Sequence, residues 1–328
     1  MTLGSIDDLI APGRREAGRR ALAEAFGPGA AIVAEPLAGG ASGAAVLRLE
    51  VAGGRYVLRL DAAADGLREP RRHAACLRIA SEAGVAPRLL YADAASGVSI
   101  TEFIEADDPA DMAREARIVA AAEAVRRLHA APPFPPLVEF MAGMAIIVGQ
   151  LEAAVVLPAE EMAAVLAAWR ALSDAYPRDA EVMASHNDLH PRNLLFSGGR
   201  AWIIDWELAF AADRYVDLAG LANAMGADEA DAELILDRYF GRPATGAQHG
   251  RLYLMRQVSR LFYGVMMLNA AARERPGAPF ATVGEGAADA DSLTTYDGRV
   301  RFGRARLAEA IAGVADLRFA EAARQAAG

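Results

Sequence analysis

The stretch Ser185-His-Asn-Asp-Leu-His-Pro-Arg-Asn-Leu-Leu-Phe-Ser-Gly-Gly-Arg-Ala-Trp-Ile-Ile-Asp-Trp-Glu207 decides how the rest of the chain is read. Two apolar runs, Leu194–Phe196 and Ala201–Ile204, flank Ser197-Gly198-Gly199-Arg200, which predicts a β-hairpin. Paired strands lie about 5 Å apart, so the open ends of a hairpin are close. Asn193 stands before the first strand and Asp205 after the second, with Asp188 in the loop leading in. An amide oxygen and a carboxylate brought together suit Mg²⁺, a hard cation that also takes nucleotide phosphate oxygens. Asp188 is then left to accept a proton from a hydroxyl. The pattern points to phosphoryl transfer.

Asp188, Asn193 five residues on, an apolar hairpin and then Asp205 resemble the catalytic and metal-binding loops of the protein-kinase-like superfamily. The spellings His186-Asn-Asp-Leu189 and Ile204-Asp-Trp-Glu207 resemble its choline/ethanolamine kinase and aminoglycoside phosphotransferase branch, which acts on small molecules. That resemblance implies an α+β, two-lobed protein-kinase-like fold. Residues 1–105 form a small N-lobe of antiparallel sheet with one helix, and residues 106–328 a larger, mainly helical C-lobe. It also implies ATP and Mg²⁺ as cofactors and Asp188 as catalytic base, with Asn193 and Asp205 on the metal.

Composition excludes other classes. The net charge is −9, against a nucleic-acid or anionic-membrane partner. No apolar run approaches the roughly 20 residues of a membrane span. Met1–Asp8 lacks the pattern of a signal peptide, and a single cysteine, Cys76, fits a reducing cytosol, so a cytoplasmic location is expected. All 34 basic residues are Arg and none is Lys. This matters because kinases usually set a Lys on the ATP phosphates.

Upstream, Leu37–Leu49 carries Gly39, Gly40, Ser42 and Gly43 between strands, where backbone N–H groups approach phosphate without Cβ interference and a hydroxyl can add to them. A second hairpin follows, Val46–Val51 and Tyr56–Leu60. By the resemblance, Arg59 takes the place of the phosphate-gripping cation; a guanidinium grips phosphate as a fork. A helix is expected over Leu67–Ala83, ending at Gly84. The resemblance places an acid there to hold the strand cation, and Glu69 is the best carboxylate; Pro70 confines it to the first turn, where a plain helix-start charge is the equal alternative. His73 stands one turn on, where some relatives carry an acid. Strands are expected at Pro87–Tyr91 and Val98–Ile104, the second hinging the lobes and pairing adenine through main-chain groups at Glu102–Ile104.

Further helices are expected over Ser5–Phe26, Met112–Ala130, Val138–Val155 (apolar enough to be buried throughout), Ala159–Ala175, Asp228–Phe240, Arg251–Ala271 and from Phe302 onward. Asp217 matches the resembled family's acid at a helix start and is read as structural. Trp206, Glu207, Tyr239, Phe262 and Tyr263 are the acceptor-binding candidates in the region where that family builds its pocket. Its pocket helix offers two tryptophans three residues apart; Phe262 and Val265 take those places here, so half of that aromatic cage is missing. Glu207 would pair with a protonated amine. The expected acceptor is therefore the hydroxyl of a small amino alcohol, with an aminoglycoside, thiamine or another metabolite as alternatives. The missing Lys raises an inactive nucleotide-binding scaffold as a rival. A protein kinase is disfavoured, because Asp205 is followed by Trp206-Glu207 and no long segment separates it from Asp217.

Overall fold

A computed structural model describes residues 6–37, 43–62, 67–280, 283–284 and 293–328. The chain divides into two compact units, residues 1–136 with 183–211, and residues 137–182 with 212–328.

The first unit is built on a five-stranded sheet. β1 (Ile32–Pro36), β2 (Ala45–Val51), β3 (Gly54–Leu60), β4 (Leu89–Asp93) and β5 (Val98–Glu102) run in the order β1-β2-β3-β5-β4, every pair antiparallel. Alternation along the strands sends Leu47, Leu49, Leu58, Leu60, Val98 and Ile100 to one face. There they pack with Ile10 and with Ala21 and Leu22 of helix α1 (Arg15–Phe26). The helix expected from Ser5 starts only at Arg15, after two 3₁₀ turns at Ile6–Leu9 and Pro12–Arg14. Pro12 has no N–H to continue a helix through it. β1 has no counterpart in the sequence reading.

Helix α2 (Pro70–Glu82) starts at Pro70 and not at Leu67, because Glu69 is its N-cap. Its buried side, Arg72, His73, Cys76, Leu77 and Ala80, lies beside residues 206–209: Arg72 Nε donates to Ala209 O at 3.0 Å. Helix α3 (Arg114–His129) packs on the later hairpin, burying Ile118, Val125 and Leu128.

That hairpin is β7 (Leu194–Ser197) and β8 (Arg200–Ile203), turning at Gly198 and Gly199 with φ of +58° and +73°, the conformation a two-residue hairpin turn requires. It is fastened to the first unit at several backbone points. Ile203 N–H donates to Val85 O at 2.8 Å and Asp107 N–H to Phe196 O at 2.8 Å. Gly198 N–H donates to Asp107 Oδ2 at 2.8 Å. These bonds explain why residues 183–211 belong with the sheet rather than with the helices that flank them in sequence. A division at 105/106 groups the chain differently, since Asp107 and α3 lie in this unit too. A short ribbon of β6 (Val182–Ser185) and β9 (Phe210–Asp213) brackets the hairpin in sequence.

The second unit is helical: α4 (Phe140–Ala154), α5 (Ala159–Ala175), α6 (Arg214–Ala224), α7 (Glu229–Phe240), α8 (Gly246–Glu274), α9 (Tyr296–Ala315) and α10 (Leu317–Ala326). α8 begins five residues earlier than expected because Thr245 and Gln248 form a capping box. The C-terminal helix is two helices, with Asp316 capping the second. α4 buries Phe140, Met141, Met144, Val148 and Leu151, but Ile146 is 57% exposed, so it is half-buried rather than a core element. Its outer face carries Ala and Gly in place of charges, which gave the apolar run. Asp213, not Asp217, caps α6, accepting the Tyr215 N–H at 2.9 Å; Asp217 is buried within the helix.

α8 and α10 approach closely at Gly250, where a Cβ would stand 2.5 Å from Ala322 O and 2.7 Å from Ala326 N. Backbone cannot rotate away as a side chain can. Gly250→Ala is therefore expected to destabilise the protein by about 1–3 kcal/mol, read as a lowered midpoint in denaturant unfolding. An unchanged midpoint would mean that α10 is free to shift.

Candidate active site

The open end of the β7–β8 hairpin forms as its sequence predicts. Leu194 pairs with Ile203, and one step outward Ile204 N–H donates to Asn193 O at 3.1 Å. Asn193, nearly fully buried, sends its Nδ2 to Asp188 O at 3.0 Å and toward Asp188 Oδ2 at 3.4 Å. The amide thus ties Asp188 to the hairpin and keeps its own oxygen as an acceptor. The Asp188 side chain is 16% exposed, enough for a small reactant to reach it.

The loop is held by its neighbours. His186 is buried; its Nε2 lies 2.9 Å from Ile204 O, and its Nδ1 accepts the Asp188 N–H at 3.3 Å. This pattern fits the neutral Nε2–H tautomer. Asn187, at φ +64°, donates from Nδ2 to Phe210 O at 3.1 Å. His190 Nε2 is 3.8 Å from Asp188 Oδ2. Burial first, and then His186, lower the His190 pKa to about 4, so its ring is neutral near pH 7.

Asp205 adopts a left-handed backbone, φ +66° and ψ +68°, which an aspartate tolerates at some cost. Its Oδ1 is 3.0 Å from Arg59 Nη1, close enough to pair in charge but outside hydrogen-bond geometry. That buried oxygen meets no hydrogen-bond donor among the described residues. A buried carboxylate oxygen without a donor is costly unless something else occupies it. A carboxylate oxygen paired in charge but not hydrogen-bonded, at the hairpin end that also carries Asn193, fits Mg²⁺, which binds through one or two protein groups plus phosphate. Among the described residues there is no cluster of three or more His, Cys, Asp or Glu that would suit another metal.

Arg59 sits among acids. Its Nε donates to Asp61 Oδ1 at 2.9 Å and its Nη2 to Glu207 Oε2 at 2.5 Å, in addition to the contact with Asp205. Burial lowers the Arg59 pKa, but Asp205, Asp61 and Glu207 outweigh it and raise it, so the cation is firmly charged. Glu69 does not pair with it. Both Glu69 oxygens accept backbone N–H groups of its own helix, from Arg71 at 3.0 Å and Arg72 at 2.7 Å. A carboxylate directly before Pro70 is drawn to the free N–H groups of the first turn. Glu69→Ala is accordingly expected to cost about 1 kcal/mol of stability while the contacts of Arg59 stay intact, which thermal unfolding measures.

Glu207 also differs from its expected role. Its Oε1 accepts Arg68 Nε at 2.8 Å, so both oxygens are already engaged by arginines. Trp206 is core: its indole Nε1 donates to Ile203 O at 3.2 Å, and its ring meets His186 and Phe134 edge-on at 4.8 and 6.0 Å. In the second unit Tyr239 is buried against Phe240, whereas Phe262 and Tyr263 are half-buried and adjoin at 5.3 Å, with Phe140 at 5.7 Å from Phe262. Val265 is fully buried in the core.

Gly39, Gly40 and Ser42 lie outside the described residues; Gly43 has φ +73°. In the hinge strand the Glu102 N–H donates to Arg88 O and the Phe103 N–H to Arg55 O. The Ile104 N–H meets no backbone acceptor among the described residues. Sequence reasoning missed Asp61 and Arg68, and it noted His73 in the place of an acid without giving it a partner. Asp61 carried a signal, since residues two apart at a strand end share a face.

The model of the phosphotransferase enzyme family (APH) matches residues 33–249, from β1 to the start of α8. The chain belongs to that family. It is a phosphotransferase acting on a hydroxyl acceptor, a small-molecule kinase. A search of curated proteins finds no match. Among solved structures, the chain resembles a choline/ethanolamine kinase family protein from Mesorhizobium loti, at 26% identity and TM-score 0.68, over 96% of this chain and 99% of that one. It shares a fold with choline kinase LicA from Streptococcus pneumoniae (16% identity, TM-score 0.63, 92% and 99% covered). It also shares one with macrolide 2′-phosphotransferase MphH from Brachybacterium faecium (18%, 0.56, 84% and 100%). The protein-kinase-like, α+β class is thus established: a small antiparallel sheet region followed by a helical one. No helix among the described residues is long and apolar enough to cross a membrane.

Proposed function

We propose that the phosphotransferase moves the γ-phosphate of ATP to the hydroxyl of a small amino alcohol of the choline or ethanolamine kind. Asp188 accepts the hydroxyl proton as the oxygen bonds to phosphorus and ADP leaves. Asn193 and Asp205 would hold Mg²⁺, which when bound offsets phosphate charge. Arg59 offers a fork to the same phosphates. The observation that carries this reading is the hairpin end, where Asn193 is bonded to Asp188 and the Asp205 Oδ1 is buried without a donor.

The amino-alcohol part rests on the His186–Leu189 and Ile204–Glu207 spellings and on the choline/ethanolamine kinases among the similar structures. Fold alone does not choose the acceptor, since a macrolide phosphotransferase shares it. A preference for a primary amine drew on Glu207, which is occupied by Arg59 and Arg68.

Steady-state kinetics with ethanolamine, choline, thiamine and kanamycin test the acceptor. Phosphorylation of choline or ethanolamine with the highest kcat/KM of the four is expected. Transfer to kanamycin alone, or to none of them by a protein that binds ATP, would defeat the amino-alcohol reading.

A further inference from the structure

The place where an acid would come from α2 to hold the strand cation is filled differently in this chain. Asp61 follows β3 directly, two residues beyond Arg59, and its carboxylate is shared between two partners. Oδ1 accepts Arg59 Nε at 2.9 Å, and Oδ2 lies 2.9 Å from His73 Nδ1. His73 is on the buried side of α2 and its side chain is 6% exposed, so the ring has a fixed position. Burial pushes the Asp61 carboxyl up, but His73 and Arg59 outweigh it and hold the pKa below the usual range.

The backbone at Asp61 is pinned as well. Its N–H donates to Gly97 O at 2.8 Å, and its carbonyl accepts Arg14 Nη1 at 2.5 Å. The same Arg14 donates from Nη2 to Ser96 O at 2.6 Å and Gly97 O at 3.1 Å. Gly97, at φ +59°, sits so close that a Cβ there would stand 3.2 Å from the Asp61 Cβ. A carboxylate fixed through its main chain, its charge and its second oxygen has few ways to move.

We infer that Asp61 and His73 are positioning residues: the ring of His73 aims the Asp61 carboxylate, which sets the Arg59 guanidinium for the nucleotide phosphates and so replaces a carboxylate from the helix. This inference rests on the reading of Arg59 as a phosphate cation. It explains why Glu69 is free to cap α2 and why the chain carries no acid at position 73. Asp61 differs from the other two acids around Arg59. Asp205 is a metal ligand in the proposed reaction and Glu207 is shared with Arg68, whereas Asp61 is committed to the Arg59–His73 link.

The test measures ATP binding with Mg²⁺ by calorimetry, beside melting temperature, and needs no acceptor. Arg59→Ala, Asp61→Asn, His73→Leu and His73→Asn are compared. Asp61→Asn and His73→Leu are each expected to weaken ATP binding by roughly tenfold, as for a lost charge-assisted hydrogen bond. His73→Asn keeps a donor near the Nδ1 position and is expected to restore most of that loss. The double variant Asp61→Asn/His73→Leu is expected to bind no worse than either single one, because the two act as a unit.

If Arg59→Ala weakens ATP binding but the Asp61 and His73 variants bind as wild type, the positioning inference falls and the phosphate reading stands. If Arg59→Ala binds ATP as wild type, both fall. Equal loss of melting temperature in His73→Leu and His73→Asn, with ATP affinity untouched in both, reduces His73 to packing and overturns the proposal. Should Asp61→Asn fail to fold, the two His73 variants decide the matter by themselves.

Discussion

Asp188→Asn is expected to lower turnover by roughly 10²–10⁴ while ATP binding stays near the wild-type value. The substitution keeps the size of the side chain and removes the charge that takes the hydroxyl proton. The surrounding bonds predict that the loop survives it. The Asp188 N–H is held by His186 Nδ1, and the Asp188 carbonyl by Asn193 Nδ2. At the carboxylate the substitution alters the weaker 3.4 Å contact from Asn193 Nδ2 and the 3.8 Å approach of His190 Nε2. Single-turnover and binding measurements on the same preparation separate the two effects. Turnover within a few-fold of wild type would remove Asp188 from the chemistry.

Asp205→Gly is expected to abolish the Mg²⁺-dependent part of ATP affinity and to lower turnover by at least about 10²-fold, because one of the two proposed protein ligands and its charge are lost. Its effect on stability should have the opposite sign. Glycine accepts a φ of +66° without the penalty an L side chain carries there, a relief of about 1 kcal/mol. Against this stands the loss of the charge partner 3.0 Å from Arg59 Nη1. Arg59 keeps Asp61 and Glu207 as partners. A variant that unfolds at higher denaturant yet no longer responds to Mg²⁺ is the predicted outcome. An unchanged metal titration would refute the ligand assignment, and a strongly destabilised fold would show that the Arg59 contact outweighs the strain.

The parts of this site that were legible in sequence are the local ones. Gly198-Gly199 between two apolar runs fixes a hairpin, and the hairpin fixes that Asn193 and Asp205 end side by side. Spacing alone carries that geometry. What was hidden depends on distant segments. Arg14 clamps the backbone at Asp61 from 47 residues away, and Arg68 reaches Glu207 across 139. Nothing in the local pattern of either partner announces these bonds.

Glu69 carried two readings, an ion pair with Arg59 and a plain charge at the helix start, and the first-turn N–H groups decide for the second. α4 shows a different kind of failure: an uncharged helix face built of Ala and Gly looks like core by composition although water covers it. The acceptor region was the least legible, since aromatic residues pack cores and bind ligands with the same spacing. There Trp206 and Val265 turned out to be core, while Phe262 and Tyr263 stayed partly open.

The central claim is that the end of the β7–β8 hairpin performs phosphoryl transfer to a small hydroxyl acceptor. Following a mixture of the protein, ATP, Mg²⁺ and choline or ethanolamine by ³¹P NMR tests it most directly. The account predicts that the γ-phosphate signal declines as a phosphomonoester signal and ADP grow together, and that Asp188→Asn leaves ATP bound but slows this conversion by the factor given above. A phosphomonoester formed equally fast by wild type and Asp188→Asn, or ATP hydrolysed only to inorganic phosphate with every acceptor tried, would contradict it.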